Sequence, residues 1–350
     1  MNAIPVPISN IGIAAINLGF GWAKISLDGQ EERFMSVVSP HQKDIAMMNA
    51  KSKNQLNLVH LDGESFEVGL DAAIDSWSEP MRLISRHWGR SRQYRILAQA
   101  ILNRMAFTGK KNWRIVTGLA ADHYEDQQYR SEVVEVWRGS GGIHHTPFGN
   151  INIVSVNIMP ETAGGFVSLK ADPTVREKMH ALQGVVVDFG TLTTNWLPFR
   201  YGKPLTDGFK SIDIGVYKAM SLATESVQRR AMPNARTVDL ESALLGMQPM
   251  SILAHNKDGT SQLQPLDIKG DVAEAATKIW PQIETALKTS ISNPNGMLLL
   301  GIGGGVNVYG PLLKQSFGQS TCILSEQSQM DNVRGLYTMG KAYHEANSRS

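Results

Sequence analysis

Between Ile11 and Ser26 an apolar run breaks at Asn17-Leu18-Gly19-Phe20-Gly21-Trp22-Ala23-Lys24 and then resumes in alternation, the pattern of two strands joined by a glycine turn. The stretch Gly184 to Phe199 repeats it: Val185-Val186-Val187, then Asp188-Phe189-Gly190-Thr191-Leu192-Thr193-Thr194-Asn195, then Trp196-Leu197-Pro198-Phe199. Laying Asn17 over Asp188 also lays Gly19 over Gly190 and Lys24 over Asn195. Each copy predicts a β-hairpin whose turn of glycine and small polar residues leaves backbone N–H groups free to point at an anion. Two such hairpins about half a chain apart predict two similarly built domains facing one nucleotide.

The remaining pattern alternates strands and helices. Leu56 to Leu70 predicts a hairpin around Asp62-Gly63, and Gln93 to Phe107 a helix with Ile96, Leu97, Ala100, Ile101 and Met105 on one face. Trp113 to Val116 reads as a short buried strand ending at Thr117-Gly118, and Asn152 to Ile158 as another. Helical spacing over Ser211 to Arg229 stops at Met232-Pro233-Asn234. Further helices are expected over Thr237 to Gly246 and Val272 to Ser290, the second kinked or split by Pro281. Met297 to Ile302 is a continuous apolar strand that opens into Gly303-Gly304-Gly305, a helix from Tyr309 to Phe317 follows, and Asn332 to Ala346 makes a last helix. No regular period of 20 to 50 residues exists, which excludes solenoids and propellers and leaves an α/β class with helix-covered sheets.

The chain has 350 residues, 42% of them hydrophobic and 19% charged, enough for two domains or one large α/β unit. A formal charge of +2 is too small to hold nucleic acid by net charge alone, so no strong direct nucleic-acid binding is expected. The single cysteine, Cys322, excludes an internal disulfide and fits a reducing cytoplasm. No apolar run approaches the roughly 18 residues of a membrane span, and Met1 to Asn10 carries no basic residue, so a cytoplasmic protein is expected, with no membrane partner. No G-x-x-x-x-G-K-[ST] exists, which excludes a P-loop nucleoside triphosphatase.

Taken singly, Gly19-Phe20-Gly21 and Gly303-Gly304-Gly305 are tight turns. Taken in order, two Asn/Asp-x-Gly hairpins followed by a late apolar strand opening into three glycines resemble the actin-like ATPase superfamily, and within it the bacterial plasmid-segregation branch of ParM or StbA type. The resemblance covers nearly the whole chain. Ile13 to Ser26 is similar to its first phosphate loop; Val185 to Trp196, with Asp188, Gly190 and Thr193 in D-x-G-x-x-T, to its second; Leu298 to Val306 to its adenosine loop. Ile115 to Leu119, Val68-Gly69 to Ala73, and Asn332-Val333-Arg334-Gly335-Leu336 match further segments of this branch in the correct order.

The resemblance implies an α/β actin-like fold of two similar domains around a nucleotide cleft. The first domain would span residues 1–172 plus 327–350, with a small subdomain near 31–82. The second would span 173–326, with one near 211–290. ATP (or GTP) and Mg would sit between them, and polymerisation into filaments would move plasmid or other replicon copies apart through a DNA-binding adaptor protein on a centromere-like site. Gly19, Gly21 and Lys24 would approach the phosphates from one side, Gly190, Thr191 and Thr193 from the other. Asp188 would hold Mg through a water; its plainer reading is a turn cap. Gly303, Gly304 and Gly305 would form the purine wall. Asp213 and Tyr217, placed on the helix after the second hairpin, are ribose or base contacts, or an ordinary solvated face. Glu161, after Pro160, would orient water for hydrolysis, or merely begin a helix.

One position departs from the family: Asn17 stands where the first loop carries Asp. An amide attracts a metal less than a carboxylate, so nucleotide binding is expected to survive while turnover slows. That leaves two alternatives, a nucleotide-gated interaction protein with little hydrolysis and a small-molecule kinase of the same superfamily. Arg82, Arg86, Arg90, Arg92 and Arg95 form a basic run without acids, read as a solvated face or as a filament, DNA or adaptor contact. Trp77, Trp88 and Trp137 are either interface anchors or core.

Overall fold

The computed structural model describes residues 10–41, 55–74, 87–255, 260–291 and 295–348. The first hairpin seeds a six-stranded sheet. Strands β1 (Ile11–Leu18), β2 (Trp22–Leu27), β3 (Gln30–Met35), β7 (Asn112–Leu119), β8 (Ile143–Thr146) and β9 (Gly149–Pro160) run in the order β3-β2-β1-β7-β9-β8. Every residue of β1 is buried, which explains its unbroken apolar run: a strand covered on both faces has no polar side. Helix α2 (Arg92–Phe107) covers one face through Leu97, Ile101 and Met105, while α11 (Asp331–Ser348) covers the other through Val333 and Leu336. Helices α3 (Ala121–Glu125) and α4 (Gln127–Arg138) pack beside β9. The charged residues of β3 lie at the open edge, where they discourage further pairing.

The second hairpin seeds a matching sheet. Strands β10 (Gln183–Phe189), β11 (Thr194–Arg200), β12 (Lys203–Pro204), β16 (Leu298–Ile302) and β17 (Thr321–Leu324) run β12-β11-β10-β16-β17, with β13 (Lys210–Ile212) also on β11. The duplication is visible in register: Asn17 faces Lys24 across the first hairpin as Asp188 faces Asn195 across the second. The next parallel strand follows in each sheet, β7 beside β1 and β16 beside β10. Helices α7 (Val216–Arg230), α9 (Lys269–Ser290) and α10 (Val306–Ser316) pack on one face of this sheet. On the other lie α5 (Glu161–Leu169) and α6 (Pro173–Ala181). Among the described residues, strands β14 (Ser251–His255) and β15 (Ser261–Pro265) pair only with each other.

Between the sheets, α5 and α11 form a shared layer, α5 against β10 and β11 and α11 against β1 and β7. They cross where Gly335 meets Gly164; a Cβ on Gly335 would collide with the Gly164 carbonyl. Above the cleft, strands β4 (Val38–Pro40), β5 (Leu58–Leu61) and β6 (Glu64–Val68) make a small sheet, followed by α1 (Leu70–Ile74). A cluster of Trp22, Met35, Val37, Ala72, Ala73 and Val238 joins that layer to α8 (Thr237–Leu244) from the other half. Arg236 Nη1 reinforces it by donating to the Ala73 carbonyl at 2.9 Å.

Several expectations need correction. The helix predicted from Ser211 begins only at Val216, because Lys210–Ile212 are captured by β11 as a strand and Thr194 Oγ1 donates to the Ile214 carbonyl at 2.6 Å. Asp213 is therefore in the loop before α7. Pro281 neither splits nor ends α9, which is one helix of 22 residues; Pro281 lies on its exposed side while Ala276, Ile279, Trp280 and Ile283 hold the other to the core. Helix α10 starts at Val306, three residues before the predicted Tyr309.

Trp88 and Trp137 are core, 4% and 0% exposed, their N–H groups given to the Leu18 carbonyl and the Tyr94 hydroxyl. The basic run is locally paired by tertiary structure: Arg90 with Glu132, Arg92 with Glu64, and Arg95 with Asp62 at 3.6 Å. Trp77, Arg82 and Arg86 lie outside the described residues. The β5–β6 hairpin turns at Asp62 and Gly63 as expected, with φ of 52° and 79°, left-handed values that suit an Asp-Gly turn.

Candidate functional site

The two hairpin turns meet head on. A Cβ on Gly21 would collide with Thr191 Oγ1, so this glycine is what lets the first turn touch the second. Each turn is closed by its own glycine: Gly19 N–H bonds to the Trp22 carbonyl at 3.1 Å and Gly190 N–H to the Thr193 carbonyl at 2.9 Å. Those two N–H groups are thus committed within their turns, contrary to the expectation that they point at an anion. The second turn is also pinned to α7, whose Val216 and Tyr217 N–H groups bond to the carbonyls of Gly190 and Thr191 at 3.0 and 2.9 Å.

Beneath the turns lies a polar floor. Asn17 is 2% and Asp188 1% exposed, each at the end of the strand that leads into its turn. Glu161, the first residue of α5, accepts a hydrogen bond from Asn17 Nδ2 at 3.2 Å. It both begins the helix and reaches the cleft, so its two readings are compatible. Asn332, from the first turn of α11, donates to Asp188 Oδ2 at 2.6 Å and approaches Glu161 Oε1 at 3.5 Å. Burial drives the Asp188 carboxyl up to about 7 and the Glu161 carboxylate adds to this, against the opposing pull of Lys24 and of the Asn332 hydrogen bond.

Two small cavities of about 40 Å³ each flank the meeting turns. One is lined by Gly19, Lys24, Glu161, Gly190, Thr191 and Thr193. The other is lined by Thr191, Val216, Met220, Glu241 and Gly304. Trp22 contributes to both. The three late glycines differ in kind. Gly303 has φ +90° and a Cβ there would collide with Asp188 Oδ1, and one on Gly305 would press on Phe189 at 3.0 Å. At Gly304 a Cβ would meet only Gln329, at 3.8 Å, so the fold tolerates a side chain there and the open surface faces the cavity. Asp213 lines an adjoining cavity of about 220 Å³ with His87, Arg90, Asp122, His123 and Thr193, the last two of which also line the cavity at the turns. Tyr217 supports the second turn through its backbone.

The donor set at the floor consists of carboxylate and amide oxygens, the chemistry a hard divalent cation prefers. The raised Asp188 carboxyl means that the protein alone does not compensate its charge, and a cation would. Among the described residues no group of three or more His, Cys, Asp or Glu is placed to bind a metal by itself. Sequence reasoning named the segments that hold Asn332 (Asn332 to Leu336), Trp22 (the first hairpin) and Glu241 (the helix Thr237 to Gly246) but singled out none of the three as a site residue. No helix among the described residues is long and apolar enough to cross a membrane.

Two sheets of duplicated topology, each started by a glycine-turned hairpin and separated by a shared helical layer, define the actin-like fold. Residues 15–164 match the family model "Actin like proteins N terminal domain", and the chain as a whole has the actin-like fold. No curated protein matches it in sequence. Among solved structures it is similar to the apo psk41 ParM protein, with 15% identity, 97% of this chain and 100% of that one covered, and a TM-score of 0.65. An archaeal actin homolog, Ta0583, in complex with ADP matches with 18% identity, 97% and 100% coverage and a TM-score of 0.63. A 15-stranded ParM filament from Clostridium botulinum matches with 18% identity, 95% and 99% coverage and a TM-score of 0.69.

Proposed function

We propose that this protein binds ATP (or GTP) with Mg between its two sheets and assembles with copies of itself into filaments, as a member of the ParM or StbA-type branch. The observation that carries the reading is the meeting of the two turns, Gly21 against Thr191, directly above Asn17, Glu161 and Asp188. The phosphates would lie at Gly19, Gly21, Lys24, Gly190, Thr191 and Thr193, and the nucleoside at Gly304 and Glu241. Asp188 would hold the cation through a water. Bound there, the cation would neutralise phosphate charge. Glu161 would orient the attacking water. Nucleotide sites generally need roughly 300–1,000 Å³, so the two halves must part at the Trp22 and Val238 cluster to admit the ligand.

The domains would divide as 1–172 plus 327–350 and 173–326, with the hinge at the shared helical layer. The filament would move plasmid or other replicon copies in the cytoplasm through a DNA-binding adaptor, with no membrane involved. Light scattering with ATP and Mg²⁺, paired with phosphate release, tests the reading, with Asp188→Ala as control. Scattering that rises with nucleotide in the wild type but not in the variant supports it; no nucleotide-dependent signal refutes it. A second reading, nucleotide-gated assembly with little hydrolysis, is favoured by the Asn17 to Glu161 hydrogen bond, which engages the water-orienting carboxylate. Scattering without phosphate release would select it.

A further inference from the structure

Asn332 is 3% exposed and uses its whole side chain at the cleft floor. Nδ2 serves the two carboxylates, while Oδ1 accepts the Gly165 N–H at 3.0 Å. Chemistry dictates this orientation: turned over, the amide would set its oxygen against a carboxylate and its NH₂ against an N–H. The backbone is held as firmly, because α11 crosses α5 at the Gly164 and Gly335 contact and a Cβ on Gly164 would collide with the Asn332 carbonyl. Asp188 belongs to the second sheet, whereas α11 packs on β1 and β7 of the first. The 2.6 Å bond therefore ties the halves together at the floor.

We propose that Asn332 is a positioning residue that keeps Asp188 and Glu161 apart on two sides of one amide, so that Asp188 stays aimed at the metal side of the phosphates and Glu161 at the cleft. The proposal rests on the nucleotide reading above. Without the amide, Asp188 loses its 2.6 Å donor and Glu161 keeps only Asn17, so the two carboxylates repel with no shared donor and take other rotamers. Aim is lost while the glycine turns are untouched.

The test compares the full-length wild type with Asn332→Ala and Asn332→Asp, using N-methylanthraniloyl-ATP as probe, in EDTA and in Mg²⁺. Asn332→Asp is isosteric and still accepts the Gly165 N–H, so it carries the test if the alanine variant does not fold. In Asn332→Ala, affinity in EDTA should stay within about 3-fold, while the gain in affinity on adding Mg²⁺ should shrink about 10- to 100-fold, as when a partner that orients a metal-site residue is removed. Phosphate release at saturating nucleotide should fall comparably in both variants. A folded variant that keeps both the Mg²⁺ gain and the release rate overturns the proposal. So does a parallel loss of thermal stability, EDTA affinity and Mg²⁺ gain, which marks a purely structural residue. Failure of the wild type to bind the probe would instead overturn the nucleotide reading itself.

Discussion

The substitution Asp188→Asn should stabilise the protein in the absence of nucleotide and metal, by an amount that grows as pH rises from about 4 to about 7. The carboxyl is raised from an ordinary 3.8 to about 7, first by burial and then by Glu161. Between those values the folded protein keeps a proton that the unfolded chain has released. Stability from this group is therefore highest below about pH 4, falls as pH rises to about 7, and stays low above that. At about 1.4 kcal/mol per pKa unit the full penalty is about 4 kcal/mol at most. The neutral amide introduced by Asp188→Asn would escape it while its oxygen still accepts the Asn332 amide hydrogen. For 350 residues the unfolding entropy is roughly 0.7 kcal/mol per degree, so Tm should rise by about 5 °C at pH 8. At pH 4.5 the gain should be about 1 to 2 °C. Thermal unfolding of both proteins in EDTA across that range measures it. A variant no more stable than wild type at pH 8, or one equally stabilised at pH 4.5, would falsify the argument that uncompensated charge at Asp188 sets the effect. With Mg·ATP present the order should invert, because the variant cannot use the metal.

Asn17→Asp would put a second carboxylate 3.2 Å from Glu161 Oε1, a repulsion of roughly 5 kcal/mol at an effective dielectric of about 20. Tm in EDTA at pH 8 should therefore drop, and Mg·ATP should restore it and release phosphate faster than in wild type; no change in either across a Mg²⁺ titration would place Asn17 outside the site. Glu161→Ala should leave nucleotide binding nearly intact and slow phosphate release by about 10²-fold or more, and equal loss of both would mark it as structural. Gly304→Val should leave Tm within about 1 °C, since its Cβ has room, yet abolish nucleotide binding measured by calorimetry. Gly303→Ala, by contrast, should destabilise by about 1 kcal/mol or more through its positive φ and the Asp188 contact, and a neutral result there would contradict the local geometry.

What the sequence by itself determined was the repeated local pattern. Hairpins, their equivalence and the strand into Gly303 are written in residues close together in the chain, where apolar periodicity and glycine turns act without help from distant segments. The equivalence of Asn17 with Asp188 and of Lys24 with Asn195 was legible there, whereas the register that sets Asn17 opposite Lys24 and Asp188 opposite Asn195 is a finding of the structure. Positions outside such patterns were decided by tertiary contacts. Helical spacing ran through Ser211 and Ile212, yet an open strand edge at β11 claimed them, because unpaired sheet N–H and C=O groups gain more from a strand than from a frayed helix turn. Pro281 looked like a break, but one solvent-facing proline costs less than abandoning the buried face of α9. The arginines after Met81 appeared unopposed in sequence; Glu132, Glu64 and Asp62 reach three of them only through the fold. Asn332 lies 144 residues from Asp188, and no local signal announces that its amide will sit between two carboxylates. Only the crossing of α5 and α11 at Gly164 and Gly335 brings it there, since a contact between distant segments exists only once the elements that carry them have packed.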